Sequence, residues 1–179
     1  MRLDAIVIEP YDPEWADSFQ SQAAIVAPLV ADVLAEPLEH IGSTSIAGMP
    51  AKPIIDMLAV VDTYEAFGRV LPELADAGWI HAPEPGDEDR RKWSLCFPTV
   101  EHRSHHLHVV ERASTGWRDW LLFRDYMGGH PEEAEQYAAL KRDLADANAS
   151  DRARYRSGKA PVIAEVLENA RKWEADGRP

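Results

Sequence analysis

Residues 39–61 bring residue types that suit phosphate binding and metal binding into one short segment. The segment holds a small turn formed by Gly42, Ser43, Thr44 and Ser45. Glycine permits a tight turn, and the hydroxyl and backbone N–H groups of such a turn can bind a phosphate. Asp56 opens the apolar stretch that follows, and a carboxylate at such a point is a common ligand of a divalent metal. The segment therefore indicates nucleotide or phosphate chemistry.

Asp56 lies among apolar neighbours, where an unpaired acid is costly to bury. It should therefore lie at a strand end, pair with a base or bind metal, while Lys52 can supply a point charge for a phosphate. The spacing is not that of a P-loop, because Lys52 does not directly follow Gly48. The simpler alternatives are a turn that only joins two core elements, and an ion pair of Asp56 with Lys52 or an arginine.

The stretch RSHHLHVVE, residues 103–111, predicts a strand that carries paired histidines. Side chains alternate along a strand, so His106 and His108 share one face and His105 lies on the other. Two neighbouring imidazoles can bind a metal or handle protons and phosphate, and hydrogen-bonded structural histidines are the simpler alternative. A histidine-triad hydrolase would have a third histidine where this chain has Val110.

The composition limits the classes of function. A net charge of −12 argues against binding of nucleic acid or an anionic membrane, and leaves room for a small phosphorylated ligand. The longest apolar stretches have only strand length, and the N-terminus lacks the features of a signal peptide. Cys96 is the only cysteine, which excludes an internal disulfide and multi-cysteine zinc sites. We therefore expect a cytoplasmic protein that binds neither nucleic acid nor membrane.

The secondary-structure elements that must position these residues are strands and helices in the first part of the chain and helices alone in the last part. Strands are expected at Ile6–Ile8, Leu38–Ile41, Ile54–Val61, Trp79–His81, Trp93–Phe97 and His105–Glu111. A first helix starts at Asp12 and is kinked or restarted by Pro28, and a second ends at Gly78. Later helices are expected at Gly116–Met127, Pro131–Asn148, Ser150–Gly158 and Pro161–Ala175. This order predicts one α+β domain over residues 1–179, with a strand core to about 112 and a helical annex from about 113.

Several other polar residues are weaker candidates. Arg124 lies on an aromatic-rich helix, where a structural role is expected. The annex also carries Lys141, Arg154, Tyr155 and Lys159. Most of these four should face solvent, with one or two directed into the cleft.

The stretches EHIGSTSIAGMPAKPIIDML, HHLHVVE, LLFRDYM and HPEEAEQYAALKRDLA occur in this order along the chain. Their combination resembles the GrpB (UPF0157) family, a group of small bacterial proteins in the nucleotidyltransferase superfamily. The resemblance extends from about Ile8 to Ala170. It implies a nucleotidyltransferase-like mixed β-sheet with flanking helices and a C-terminal helical annex. The same module occurs behind dephospho-coenzyme A kinase in some bacteria, which implies a functional link to coenzyme A metabolism.

The superfamily motif combines a Gly-Gly or Gly-Ser turn with two alternating acids on the next strand and a third acid on a neighbouring strand. The turn matches Ile41, Gly42 and Ser43. Asp56 matches the first acid, and Leu58 stands in the position of the second. The third position falls on the strand HHLHVVE, at His106, His108 or, less favoured, Glu111. Because two-metal transfer needs several carboxylates, the resemblance supports a second metal poorly.

The first hypothesis is metal-assisted nucleotidyl or phosphoryl transfer to a small acceptor. The residues expected to bind the phosphorylated ligand are Gly42, Ser43, Thr44, Ser45, Lys52 and Arg103. Asp56 is expected to hold Mg²⁺ with His108 as a further ligand. His106 is expected to orient the acceptor or act as a base, so Asp56, His106 and His108 form the catalytic set.

Two alternatives remain open. A non-catalytic module would bind a nucleotide or a coenzyme A precursor, or regulate a partner enzyme, and Leu58 is its main support. A histidine-based phosphohydrolase or a transition-metal site would use His40, His106 and His108. That third hypothesis requires His40 to approach the histidine strand, which no sequence pattern specifies.

Overall fold

A computed structural model describes residues 6–177 of the chain. Within that range the sheet consists of β1 (Glu39–Ile41), β2 (Ile55–Val61), β3 (Ile80–His81), β4 (Trp93–Pro98) and β5 (Arg103–Glu111). The strand order is β1-β2-β5-β4-β3, with β2 and β5 parallel and the other neighbours antiparallel. This mixed sheet with its flanking helices confirms the predicted α+β class.

Helices surround the sheet and form the whole C-terminal part of the described chain. They are α1 (Glu14–Val30), α2 (Tyr64–Phe67), α3 (Leu71–Asp76), α4 (Gly116–Gly129), α5 (Pro131–Ala147) and α6 (Arg152–Ala175). Asp12 Oδ1 accepts a hydrogen bond of 2.9 Å from the backbone N of Glu14 at the start of α1. Thr63 caps α2 in the same way, by accepting from Ala66 N at 3.3 Å. None of the helices within residues 6–177 is both long and apolar enough to cross a membrane.

The central strand β2 is covered on both of its faces. Met57 packs in a cluster that includes Trp15 of α1. Leu58 points the other way, into a cluster that includes Trp117 at the start of α4. Because side chains alternate along a strand, Asp56 lies on the same face as Leu58, the face that the C-terminal helices cover.

The prediction of a helix break between Gly158 and Pro161 is wrong. Helix α6 continues through both residues, with Pro161 in its interior. Gly158 allows α6 to approach α5 closely, since a Cβ at this position would lie only 2.6 Å from Cδ2 of Leu144. Packing of the two helices therefore outweighs the local preference of Gly and Pro to end a helix.

The prediction of a strand near the N-terminus is also wrong. Ile6–Ile8 forms no strand, and the neighbouring Glu9 makes an isolated bridge to Ala51. Ile6 packs instead against the annex, in a cluster with Tyr155. Helix α1 does not restart at Pro28 and continues to Val30. The first five residues of the segment judged not to be a signal peptide lie outside the described residues.

Candidate functional site

The parallel pairing of β2 with β5 creates the centre of the candidate site. Asp56 is the register partner of His106, and Leu58 is the partner of His108. Both histidines contact Asp56, which confirms that they share one face of β5. His105 points the other way, toward Ser18 Oγ at 3.2 Å.

One carboxylate oxygen joins Asp56 to both imidazoles. Asp56 Oδ1 accepts hydrogen bonds from His106 Nδ1 at 2.9 Å and from His108 Nε2 at 3.2 Å. Burial raises the pKa of Asp56, but the hydrogen bonds from the two histidines outweigh that effect and hold the pKa well below its usual range. The carboxylate is therefore ionised at neutral pH.

The Gly-Ser turn packs against the Asp56 carboxylate. Gly42 has φ 73° and ψ −174°, a conformation open essentially to glycine alone. A Cβ on Gly42 would lie 2.7 Å from Asp56 Oδ2, so the carboxylate occupies the space that a side chain would need. Ser45 Oγ donates to Gly42 O at 2.6 Å and so stabilises the turn.

Thr44 anchors the turn to the strands on either side of it. Its hydroxyl donates to Ile54 O at 3.4 Å and lies 2.9 Å from His40 Nε2. His40 also stacks on Phe19, with ring centroids 4.8 Å apart. Burial lowers the pKa of His40 to about 4, with Arg124 and His105 adding to the effect and Asp56 opposing it. His40 is thus a neutral structural residue, and the metal-ligand group found among residues 6–177 contains Asp56 in its place.

A cavity of about 370 Å³ opens beside Asp56. Its lining within the described residues is Ser43, Thr44, Ala51, Lys52, Ile54, Asp56, Glu84, Arg103, His106, His108, Lys141, Arg152, Tyr155, Arg156 and Lys159. Lys52 and Arg103 were predicted to bind phosphate, and both line it together with Ser43 and Thr44. Gly42 and Ser45, predicted to share that role, are not among the lining residues and instead shape the turn.

Helix α6 places two cations at the cavity that the sequence interpretation missed, Arg152 and Arg156, beside Lys159, which it named. Arg152, Arg156 and Lys159 are separated by four and three residues, so a continuous helix brings them to one side, toward the cavity. This spacing is visible in the sequence. The prediction that a helix ends at Gly158, however, separates Lys159 from the two arginines. Arg154, which was singled out, instead points outward with a side chain that is 80% exposed.

Three lysines at the cavity lie against tyrosine rings. Lys159 Nζ lies 4.6 Å from the ring centroid of Tyr155, and Lys52 Nζ lies 5.6 Å from the same centroid. Lys141 is 1% exposed, donates to Pro50 O, and lies 5.1 Å from the ring centroid of Tyr137. Burial, with Lys159 and Arg142 nearby, lowers the pKa of Lys141 to about 7. Lys141 and Lys159, expected to be among mostly exposed annex residues, therefore both reach the cavity.

Two other candidates have structural roles away from the cavity. Glu111 accepts hydrogen bonds from Arg91 at 2.8 and 2.9 Å and from Tyr64 N at 2.6 Å, so it does not replace the missing acid. Arg124 donates to Glu39 Oε2 at 2.8 Å and to His40 O at 3.0 Å, and thereby fastens α4 to β1.

The donor atoms beside the cavity do not match the preference of Mg²⁺. The group consists of one carboxylate and two imidazoles, with ligand atoms within 4.8 Å of one another. Mg²⁺ favours oxygen ligands in near-ideal octahedral geometry, whereas imidazole suits zinc and other transition metals. Leu58, in the second-acid position, is fully buried among apolar residues and supplies no oxygen.

The sequence is similar to those of known proteins. The family model described as GrpB protein matches residues 5–169. The UPF0157 protein YqkA of Bacillus subtilis is 34% identical over 165 residues, which cover 92% of this chain and 47% of YqkA. This chain therefore spans about half the length of YqkA. A dephospho-CoA kinase of Mycobacterium tuberculosis is 26% identical over 189 residues, covering 92% of this chain and 46% of the kinase.

Solved structures show the same fold. A crystal structure of the conserved protein GrpB from Enterococcus faecalis superimposes with a TM-score of 0.82 at 28% identity, covering 93% of this chain and 98% of that one. A structure of Cid1, described as having RNA terminal uridylyl transferase activity, gives a TM-score of 0.51 at 15% identity. It covers 78% of this chain and 43% of Cid1, which shows a shared nucleotidyltransferase-like fold.

Proposed function

This chain belongs to the GrpB family, and on that premise we propose that it binds a nucleotide or similar phosphorylated molecule and transfers a nucleotidyl or phosphoryl group to a small acceptor. One observation carries the proposal: lysine and arginine side chains converge on the cavity beside Asp56 although the chain has a net charge of −12. A surface that only keeps the protein in solution has no reason to concentrate cations in a concave pocket.

The chemistry of the cavity suits a polyphosphate. Phosphoryl and nucleotidyl transfer need positioning and charge neutralisation more than covalent chemistry, and cationic side chains supply both. Lys52, Arg103 and Lys159 would neutralise phosphate oxygens, and the hydroxyl of Ser43 would add a hydrogen bond. The volume of about 370 Å³ suits a small molecule, and the acidic remainder of the chain opposes a nucleic-acid backbone. The proposal places this activity in the cytoplasm, as the cysteine usage suggests.

Ligand binding is the first test. Isothermal titration calorimetry with ATP, CTP, GTP and UTP, each compared with its nucleoside, should detect binding that requires the phosphates. Lys159→Met should weaken the nucleoside triphosphate by at least about tenfold, which corresponds to roughly 1.4 kcal/mol.

Arg154→Ala is the matched control, because Arg154 lies on the same helix with an outward-facing side chain. It should bind as the unsubstituted protein does. If no triphosphate binds, or if Lys159→Met and Arg154→Ala bind equally well, the cavity is not the phosphate site.

Turnover is the second test. The protein is incubated with each triphosphate and a mixture of small acceptors bearing hydroxyl or phosphate groups, and products are followed by phosphorus NMR. Transfer should produce pyrophosphate or nucleoside diphosphate together with a modified acceptor, and Asp56→Ala should abolish it while leaving the protein folded. A fully active Asp56→Ala would contradict the assignment.

The second candidate function is a non-catalytic module that binds a nucleotide or a coenzyme A precursor. Its support is Leu58, which leaves Asp56 as the carboxylate of the metal-ligand group identified within the described chain. The kinase relative makes dephospho-coenzyme A a reasonable compound to include in the screen. Stabilisation by such a ligand that does not depend on a divalent ion, without any turnover, would favour the module.

A further inference from the structure

Two of the three distances between the donor atoms at Asp56 already match those between ligands of one ion, and all three atoms lie within 4.8 Å of one another. Asp56 Oδ1 lies 2.9 Å from His106 Nδ1 and 3.2 Å from His108 Nε2. Zinc binds nitrogen and oxygen at about 2.0 to 2.2 Å, so adjacent ligands of a tetrahedral ion are roughly 3.3 Å apart. An ion can therefore take the place of the protons in these two hydrogen bonds.

The orientation of the rings favours ligation over a base role for the histidines. His106 Nδ1 and His108 Nε2 are directed toward Asp56 Oδ1, whereas His106 Nε2 and His108 Nδ1 are buried and so are not presented to an acceptor molecule. A general base must present a nitrogen to the acceptor, whereas a ligand must present it to the ion. His106 therefore fits beside His108 as a ligand, which extends the ligand pair inferred from the sequence.

The site is built on rigid elements. Asp56 and His106 are register partners on two buried central strands, and Gly42 packs against the second carboxylate oxygen. Preorganised donors lose little conformational entropy when the ion binds.

The cationic side chains around the three donor atoms limit the affinity of the site for a divalent metal ion. Lys52, Arg103 and Lys159 line the same cavity and repel a dication. Nitrogen donors offset this repulsion far better for zinc, copper or nickel than for Mg²⁺, because affinity at such sites follows the Irving–Williams order. A phosphorylated ligand between the ion and the lysines would neutralise both.

From these contacts we propose that Asp56, His106 and His108 form a site for a single transition-metal dication of the zinc type, selected over Mg²⁺. The proposal goes beyond group transfer, since the ion binds whether or not a nucleotide is present. Sites with two histidines and one carboxylate leave coordination positions open. Because Asp56, His106 and His108 line the cavity, a ligand bound there could supply an oxygen to such a position.

The test uses the full chain after removal of metal by a chelator and contains no nucleotide, so its outcome is independent of the proposed transfer. Calorimetric titration with zinc chloride, manganese chloride and magnesium chloride measures the affinity of each ion. Zinc should bind one ion per chain at least about a hundredfold more tightly than Mg²⁺. Cobalt(II) should give visible absorption bands that report nitrogen ligation.

His108→Ala and His106→Gln should each weaken zinc by at least about tenfold and change the cobalt spectrum. His102→Ala, which removes an exposed histidine near the start of β5, should leave both unchanged. Thermal melting checks that each variant is folded, and Asp56→Asn provides a second route if a histidine variant is not. Equal zinc affinity in all variants, or Mg²⁺ binding as tight as zinc, would overturn the proposal.

Discussion

Gly42 packs directly against the carboxylate of Asp56, so closely that a Cβ would lie 2.7 Å from Oδ2. The absence of a side chain on Gly42 thus determines where the Asp56 carboxylate can lie. It leaves space for one carboxylate oxygen, and the other oxygen is held by two histidines. The turn and the acid are therefore one structural unit, although 13 residues lie between them in the sequence.

Gly42→Ala should destabilise the protein by about 3 kcal/mol, from backbone strain at positive φ and from the clash with Asp56. In an Asp56→Ala background the same change should cost at least about 1 kcal/mol less, because the clashing oxygen is gone. Urea denaturation of the four proteins in this double-mutant cycle measures the coupling.

Gly48→Ala is the control, since Gly48 also has positive φ but a Cβ there meets nothing within 4 Å. It should show no coupling with Asp56→Ala. Additive effects of Gly42→Ala and Asp56→Ala would mean that the close contact has no energetic weight.

Leu58→Asp should fail to restore a second metal site. Leu58 is fully buried in a cluster with Val110 and Trp117, so a charge there would be unpaired in apolar surroundings. We expect a loss of about 3 to 5 kcal/mol in the free energy of unfolding, against less than about 1.5 kcal/mol for Leu58→Met. A stable Leu58→Asp protein that gains a second metal ion by elemental analysis would contradict this expectation.

Lys141 should make stability rise with pH. Its pKa falls from 10.5 to about 7 on folding, through burial and the neighbouring Lys159 and Arg142. Between these two values the unfolded state binds more protons than the folded state, so the free energy of unfolding increases as pH rises. From pH 7 to 9, the unsubstituted protein should gain on the order of 2 kcal/mol relative to Lys141→Met.

Urea denaturation at both pH values measures this gain. Lys172→Met is the control, because that lysine is exposed and pairs with Glu168 on the surface. Its difference from the unsubstituted protein should change little between the two pH values. A difference for Lys141→Met that is equally independent of pH would show that folding does not lower the pKa of the Lys141 amine.

Glu111→Gln should lower stability without affecting the cavity. Hydrogen bonds from Arg91 and from Tyr64 N lower the pKa of Glu111 from 4.5 to about 2. Its contribution is fully present above pH 4.5 and is lost as pH falls toward 2, because the protonated acid no longer pairs with Arg91. At pH 7 the substitution should cost about 1 to 3 kcal/mol by chemical denaturation.

Nucleotide and zinc affinities of Glu111→Gln should match those of the unsubstituted protein. Glu65→Gln, which removes the exposed partner of Arg91, should cost less than Glu111→Gln. A loss of ligand affinity in Glu111→Gln would connect this pair to the site and return Glu111 to the candidate acids.

Much of the site could be read from local patterns. The period of two along a strand was enough to put His106 and His108 on one face, and an acid in an apolar run was enough to mark Asp56. Glycine at position 42 indicated a tight turn. The family resemblance then connected these features, because the turn, the acid and the histidine strand occur in the expected order.

The remaining part depended on packing between distant segments. Helix α6 crosses Gly158 and Pro161 because its contact with α5 outweighs their local preferences. That continuity carries Lys159 to the same cavity as Arg152 and Arg156. Ser45 shows the opposite error, since a hydroxyl that suits phosphate in the sequence is bonded to Gly42 O in the structure.

The sequence by itself determined the residue types, their alternation along β2 and β5, and the family to which they belong. Only the tertiary structure decided that β5 pairs in parallel with β2, in a register that puts Asp56 beside His106. It also decided that α6 closes the cavity with cations. The physical reason is that hydrophobic pattern and propensity act over a few residues, whereas strand register and helix docking follow from burial of surfaces far apart in the chain.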